Sequence, residues 1–91
     1  MLEKKLQKSI IDYCKNHHIY CVNIYGSGMS AKGIPDILIC KNGRFIALEC
    51  KVGKNTLQDD QKIHSRRIID SGGVWFCPRT LEEAITVIER N

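Results

Sequence analysis

The dipeptide Asn42-Gly43 stands between two runs rich in apolar and β-branched residues, Asp36–Cys40 and Phe45–Lys51. Asparagine and glycine tolerate the positive φ that a two-residue type I′ turn demands at both central positions, and the twist of that turn matches the strands it joins. The pattern predicts a β-hairpin in which Lys41 faces Arg44. Side chains alternate along a strand, so that one pairing dictates the rest, out to Asp36 facing Glu49. Counted from the turn, this is a non-hydrogen-bonded pair, with Cβ atoms about 4.5–5.5 Å apart.

Two carboxylates placed opposite each other repel, and on an apolar sheet both also lose solvation. Lys51 falls two residues beyond Glu49 on the same face and offsets part of the repulsion. A divalent cation would offset more, since Mg²⁺ and Ca²⁺ prefer carboxylate oxygens. Asp36, Glu49 and Lys51 therefore form either a metal-centred site or a charge-compensated cap on the sheet's edge. Spacing alone does not choose between them.

The remaining elements follow from periodicity. Residues 2–16 carry Leu2, Leu6, Ile10, Ile11, Tyr13 and Cys14 at helical spacing. Ile19–Tyr25 is β-branched and aromatic, a strand, and residues 26–33 (GSGMSAKG) form a loop. Gln58–Ser71 reads as a helix with Thr56 or Gln58 near its N-cap and Gly72-Gly73 closing it. Val74–Cys77 is a short strand. Thr80-Leu81-Glu82-Glu83 is a T-x-x-E capping box opening a last helix, with Leu81, Ala84, Ile85 and Ile88 on one face. The order is αβββαβα. A helix joining the last two strands makes a right-handed parallel crossover, so the four-stranded sheet is mixed. Its middle strands are apolar on both faces and call for helices on either side, a three-layer α/β/α domain over residues 1–91.

At 91 residues such a domain buries only about 60–65% of its unfolded surface, so a partner subunit would help it. The net charge of +4 and pI near 8.9 permit nucleic acid as a partner without selecting it. No apolar run approaches the roughly 20 residues of a membrane span, and MLEKKLQKSIIDYC lacks the apolar centre of a signal peptide. The expected location is the cytoplasm. Five cysteines, an odd number without a secretion signal, suggest free thiols. Cys14, His17, His18 and Cys21 offer two ligand pairs, but zinc fingers usually set such pairs farther apart, so these read as buried thiols and exposed imidazoles. Cys40, Cys50 and Cys77 sit in apolar runs and read as core, as do Trp75 and Phe76.

Gly33-Ile34-Pro35-Asp36 followed by Glu49-Cys50-Lys51 resembles the PD-(D/E)XK nuclease signature and, more narrowly, the VRR-NUC (virus-type replication-repair nuclease) family. The resemblance covers nearly the whole chain. Glu3 is similar to that family's leading acidic residue, Gly33-x-Pro35-Asp36 to its G-x-P-D, and Gly43-Arg44-Phe45 precedes Glu49-x-Lys51 as it does there. Gln61 falls where the family has a glutamine early in the next helix, and Gly72-Gly73 where that helix ends.

The resemblance implies a restriction-endonuclease-like core. It also implies an Mg²⁺-dependent DNA endonuclease, with Mn²⁺ able to substitute, of the stand-alone phage type. Branched DNA, four-way (Holliday) junctions above all, is the implied substrate, and a cytoplasmic homodimer without membrane contact or small-molecule cofactor the implied form. Asp36, Glu49 and the main-chain carbonyl of Cys50 would hold the metal, with the Cys50 thiol turned to the opposite face. Lys51 would lie beside the scissile phosphate, Glu3 would bind a second metal or a water on the metal, and Gln61 would orient a water or a ligand.

Several of these residues also have plainer readings. Glu3 shares a helix face with Gln7 and Ile10, yet a solvated glutamate stabilising a helix N-terminus looks the same. Gln61 could equally be a surface residue. Ser27, Ser30 and Lys32 in the glycine-serine loop could track a phosphate backbone, with Lys54 adding a contact. Two further functions stay open: a non-catalytic nucleic-acid-binding module on the same fold, and a nuclease for flaps, single strands or RNA.

Overall fold

The structure is a computed structural model that describes residues 2–24 and 32–91. Its elements are α1 (Glu3–Asn16), β1 (Tyr20–Asn23), β2 (Ile37–Lys41), β3 (Arg44–Leu48), α2 (Asp59–Asp70), β4 (Val74–Phe76) and α3 (Leu81–Glu89). This is the αβββαβα order that the periodicity implies. Tyr25 and most of the glycine-serine loop, with Ser27 and Ser30, lie outside the described residues.

Asn42 and Gly43 adopt φ values of 53° and 78°, the pair of left-handed conformations a type I′ turn requires. The hairpin register runs from Lys41↔Arg44 to Ile37↔Leu48 as expected. β1 adds antiparallel to β2, and β4 adds parallel to β3. The sheet is therefore mixed, in the order β1-β2-β3-β4. β2 and β3 end one residue short of the carboxylates. There the Cys50 N–H donates to Asp36 Oδ2 at 2.9 Å, so a side chain takes over from the ladder.

One face of the sheet is closed by α1 and α3. Leu6, Ile10 and Cys14 of α1 and Ala84 and Ile88 of α3 pack against Ile37, Ile39, Ile46 and Leu48, all essentially without exposure. The Tyr13 hydroxyl donates to the Glu89 carboxylate and ties the two helices together. The hairpin end is tied down as well: Lys41 Nζ donates to the Ile88 carbonyl at 3.1 Å and Asn42 Nδ2 to the Asn91 carbonyl at 2.9 Å.

The opposite face is only half covered. α2 packs over β4 and lies close to β3 at Gly73, where a Cβ would come within 3.0 Å of Ile68 and 3.1 Å of Phe45. No residue of α2 is fully buried. At the turn end of this face Tyr20, Cys40 and Phe45 form one cross-strand row, with Tyr20 68% and Phe45 45% exposed. Cys40 is exposed in that row, which corrects its reading as core; Cys77 is half-buried, and of the three only Cys50 is fully buried. The apolar run through β2 is explained by one face, while the other points where α2 does not reach. Trp75 and Phe76 are half-buried rather than fully buried. Among the described residues no helix is long and apolar enough to cross a membrane.

Candidate active site

The site forms where β2 and β3 stop pairing. Beyond Leu48 the chain stays extended alongside the segment after β4: the Glu49 N–H donates to the Phe76 carbonyl at 3.0 Å and the Lys51 N–H to the Pro78 carbonyl at 3.3 Å. That continuation carries strand alternation past the end of β3. Glu49 and Lys51 therefore share the α2 side of the sheet with Asp36. Cys50 turns the other way into the α1–α3 core, fully buried. Glu49 is 3% exposed and Lys51 8%, so both charges sit in a desolvated place.

Desolvation dominates the electrostatics. Burial raises the Asp36 carboxyl above its ordinary range, against the lowering effect of the Cys50 N–H, Glu49 and Gln7. Burial, and after it the Asp36 charge, push Glu49 up to about 8, with Lys51 pulling the other way. Near neutral pH the pair thus carries less than two full negative charges.

Glu49 Oε2 accepts from Gln61 Nε2 at 3.1 Å, but Glu49 Oε1 is buried with no hydrogen-bond partner among the described residues. An unsatisfied buried oxygen is costly, and two adjacent hard carboxylates with one lone pair uncommitted suit Mg²⁺. The Cys50 main-chain carbonyl lies on the same stretch of chain. Among the described residues no three His, Cys, Asp or Glu side chains converge. Glu3 is not grouped with Asp36 and Glu49 as a third ligand in this arrangement. Its Oε1 is instead engaged by Asn55 Nδ2 at 2.7 Å, and it acts on Asp36 and Glu49 through its charge, which raises both.

Gln61 has a double role that its position in the sequence left open. Its Oε1 accepts from the Gln58 N–H at 2.8 Å as a capping-box contact at the start of α2, which turns its amide nitrogen towards Glu49. Gly33, with φ +84°, lies so close to α2 that a Cβ there would come within 2.5 Å of the Asp60 carbonyl. The glycine of the G-x-P-D segment thus lets the chain entering Asp36 run against the start of α2.

Three residues at the site escaped the sequence reading. Gln7 is 2% exposed and its side chain holds the Asp36 carboxyl lower than burial alone would; the available signal was a polar residue within the apolar stripe of α1, one turn after Glu3. Asn55 and Arg79 gave no signal, because what they do depends on loops meeting in space. Of the DNA-contact candidates, Lys32 and Lys54 are exposed, and Lys54 adjoins Asn55. A cleft of about 480 Å³ between Phe45 and α2 contains none of the candidate residues.

No protein-family profile matches the sequence, and no curated protein is similar to it in sequence. Among solved structures the chain is similar to a VRR_NUC domain, at 20% identity and a TM-score of 0.76, over 96% of this chain and 94% of that one. It is also similar to Hjc, a Holliday junction resolvase from the archaeal hyperthermophile Archaeoglobus fulgidus. That likeness has 18% identity and a TM-score of 0.55, over 85% of this chain and 70% of the other. At these identities the likeness is one of fold. The chain has a VRR-NUC-like, restriction-endonuclease-like fold.

Proposed function

We propose that this chain, one domain over residues 1–91, is an Mg²⁺-dependent endonuclease that hydrolyses DNA phosphodiester bonds. The observation that carries this reading is the Asp36–Glu49 pair, half-buried at Asp36 and buried at Glu49, with Glu49 Oε1 left without a partner among the described residues and Lys51 beside it. Asp36, Glu49 and the Cys50 main-chain carbonyl would hold the metal. When bound, Mg²⁺ supplies positive charge to a phosphate oxygen and acidifies a coordinated water.

The chain's own groups do the rest. A phosphodiester is anionic and its alkoxide leaving group is poor, so the site must align a water and stabilise charge as one P–O bond forms and another breaks. Lys51 places an ammonium where that charge develops and where the nucleophilic water must lie. Gln61, held from behind by the cap of α2, orients Glu49 and through it the ligand geometry. Ser27, Ser30, Lys32 and Lys54 are the proposed phosphate-backbone contacts.

The proposed substrate is branched DNA, four-way junctions above all, and the proposed form a homodimer. Support comes from the likeness to a Holliday junction resolvase fold. The bare edge of β1 and the exposed Tyr20 beside it offer a surface that invites pairing. A two-fold dimer would present one site to each of two opposed strands of a junction.

Junction, flap, duplex, single-stranded DNA and RNA, each with Mg²⁺, Mn²⁺, Ca²⁺ or EDTA, test the function. Cleavage of junctions with Mg²⁺ and none with EDTA is expected. Binding without cleavage under every condition would make the protein a nucleic-acid-binding module instead. Light scattering at micromolar concentration should report twice the 10.4 kDa chain mass.

A further inference from the structure

Glu3 presents a physical problem. It lies near the buried Glu49 and the half-buried Asp36 carboxylates, close enough that its charge raises both. A glutamate has three rotatable side-chain bonds and sits here in the first turn of α1. Repulsion from Asp36 and Glu49 would swing it towards water, since rotamer freedom and solvation both favour that. Something must hold it.

What holds it is a short chain of contacts from residues far from it in the sequence. Asn55 Nδ2 donates to Glu3 Oε1 at 2.7 Å. Asn55 itself stands in an exposed turn closed by its N–H on the Val52 carbonyl at 3.2 Å, with Gly53 at φ +60°. Arg79 straps that turn down. One guanidinium nitrogen donates to the Gly53 carbonyl at 3.2 Å and the other to the Asn55 carbonyl at 2.9 Å. Arg79 is fixed in turn because its own N–H donates to Glu83 Oε1 at 2.8 Å, while the Glu83 N–H is capped by Thr80 Oγ1 at 3.2 Å. The T-x-x-E box of α3 is thus displaced by one residue: Glu83 reaches back to Arg79 rather than to Thr80. A cleft of about 430 Å³ lined by Glu3, Val52 and Asn55 opens beside the contact, so solvent and ligands reach the carboxylate.

We propose that Asn55 is a positioning residue that holds the Glu3 carboxylate at the rim of the Asp36–Glu49 site, and that Arg79 sets Asn55 by clamping the turn that carries it. This rests on the nuclease reading of that site. A hydrogen bond at the surface adds little to stability because water competes for both groups. The device therefore acts on where Glu3 stands and leaves the fold untouched. Arginine suits the clamp because its planar fork reaches two carbonyls at once, which a lysine ammonium does not reproduce.

The test has two arms. In metal-free protein, the Asn55 side-chain amide resonances should move in Glu3→Ala and in Arg79→Lys, with the backbone spectrum otherwise preserved. In cleavage assays Asn55→Ala should lose about 10–100-fold, the range for partners that orient a metal site from outside it, at an unchanged thermal midpoint. Asn55→Asp, which puts a like charge against Glu3, should lose more, and Arg79→Lys less. In the Glu3→Ala background Asn55→Ala should have no further effect, since the pair acts as one unit.

Equal losses from Asn55→Ala in both backgrounds, or Asn55 amide resonances indifferent to Glu3→Ala, would overturn the proposal. The nuclease reading fails separately, if the unmodified chain cleaves no substrate; the resonance arm then still decides whether Asn55 holds Glu3.

Discussion

The two faces of the sheet are built on different terms. On the α1–α3 side Ile37, Ile39, Ile46 and Leu48 are capped by Leu6, Ile10, Ala84 and Ile88 with almost no exposure. On the α2 side no helix residue is fully buried, Tyr20 and Phe45 stand open at one end, and desolvated carboxylates occupy the other. Cohesion comes from the first face, and that surplus lets the second carry groups that burial disfavours. A domain of this size has little stability to spare, so the division is a physical necessity.

The widest gap between the faces should appear in activity. Asp36→Asn, Glu49→Gln and Lys51→Met each remove a charge matched to the transition state, and cleavage should fall by about 10³-fold or more. Circular dichroism should show the fold retained, because no apolar contact is lost. Unfolding of all three variants would mean that the site face carries stability after all.

Next comes the reverse substitution. Leu48→Ala or Ile10→Ala opens a cavity in the closed face and should cost about 2–5 kcal/mol in urea titration. Phe45→Ala on the half-covered face should cost clearly less than that. Equal costs would erase the contrast between the faces.

Proton linkage sharpens it further. The Glu49 carboxyl is raised from 4.5 to about 8 in the folded chain, and Asp36 shifts in the same direction. The folded state thus holds these protons more tightly than the unfolded one. The Glu49 contribution to stability is complete below pH 4.5 and is lost as pH rises through about 8. In metal-free protein the thermal midpoint should decline over that window, and Glu49→Gln should flatten the decline. Mg²⁺ should raise the midpoint more at the alkaline end than at the acid end, because cation and proton compete for the same oxygens. A Glu49→Gln variant with the same pH slope as the unmodified chain would disprove the assignment.

The smallest effect is expected at Cys40. Exposed on the half-covered face, it should tolerate serine within about 0.5 kcal/mol, whereas serine at Cys50, sealed in the core, should cost measurably more.

Local rules determined a good deal of this protein. Asn42-Gly43 specified a turn whose geometry is set by two backbone conformations, and strand alternation then carried the register as far as Ile37 and Leu48 without reference to anything distant. The Thr80 cap of α3, the apolar stripe of α1 and the helix between β3 and β4 were legible for the same reason: each depends on residues within a few positions of one another. The approach of Asp36 to Glu49 was legible too, because it is an extension of the hairpin.

Tertiary structure alone decided the rest. How far α2 reaches across its face is set by where a packed helix comes to lie, so alternation in β2 could not reveal that Cys40 would be exposed. Gln7 beside Asp36, the Gly33 approach to Asp60 and the strap from Arg79 through Asn55 to Glu3 join residues far apart in the chain. Their partners are chosen by layer packing and loop closure. A sequence displays residue types and spacings along one line, and contacts of that kind have no spacing to read.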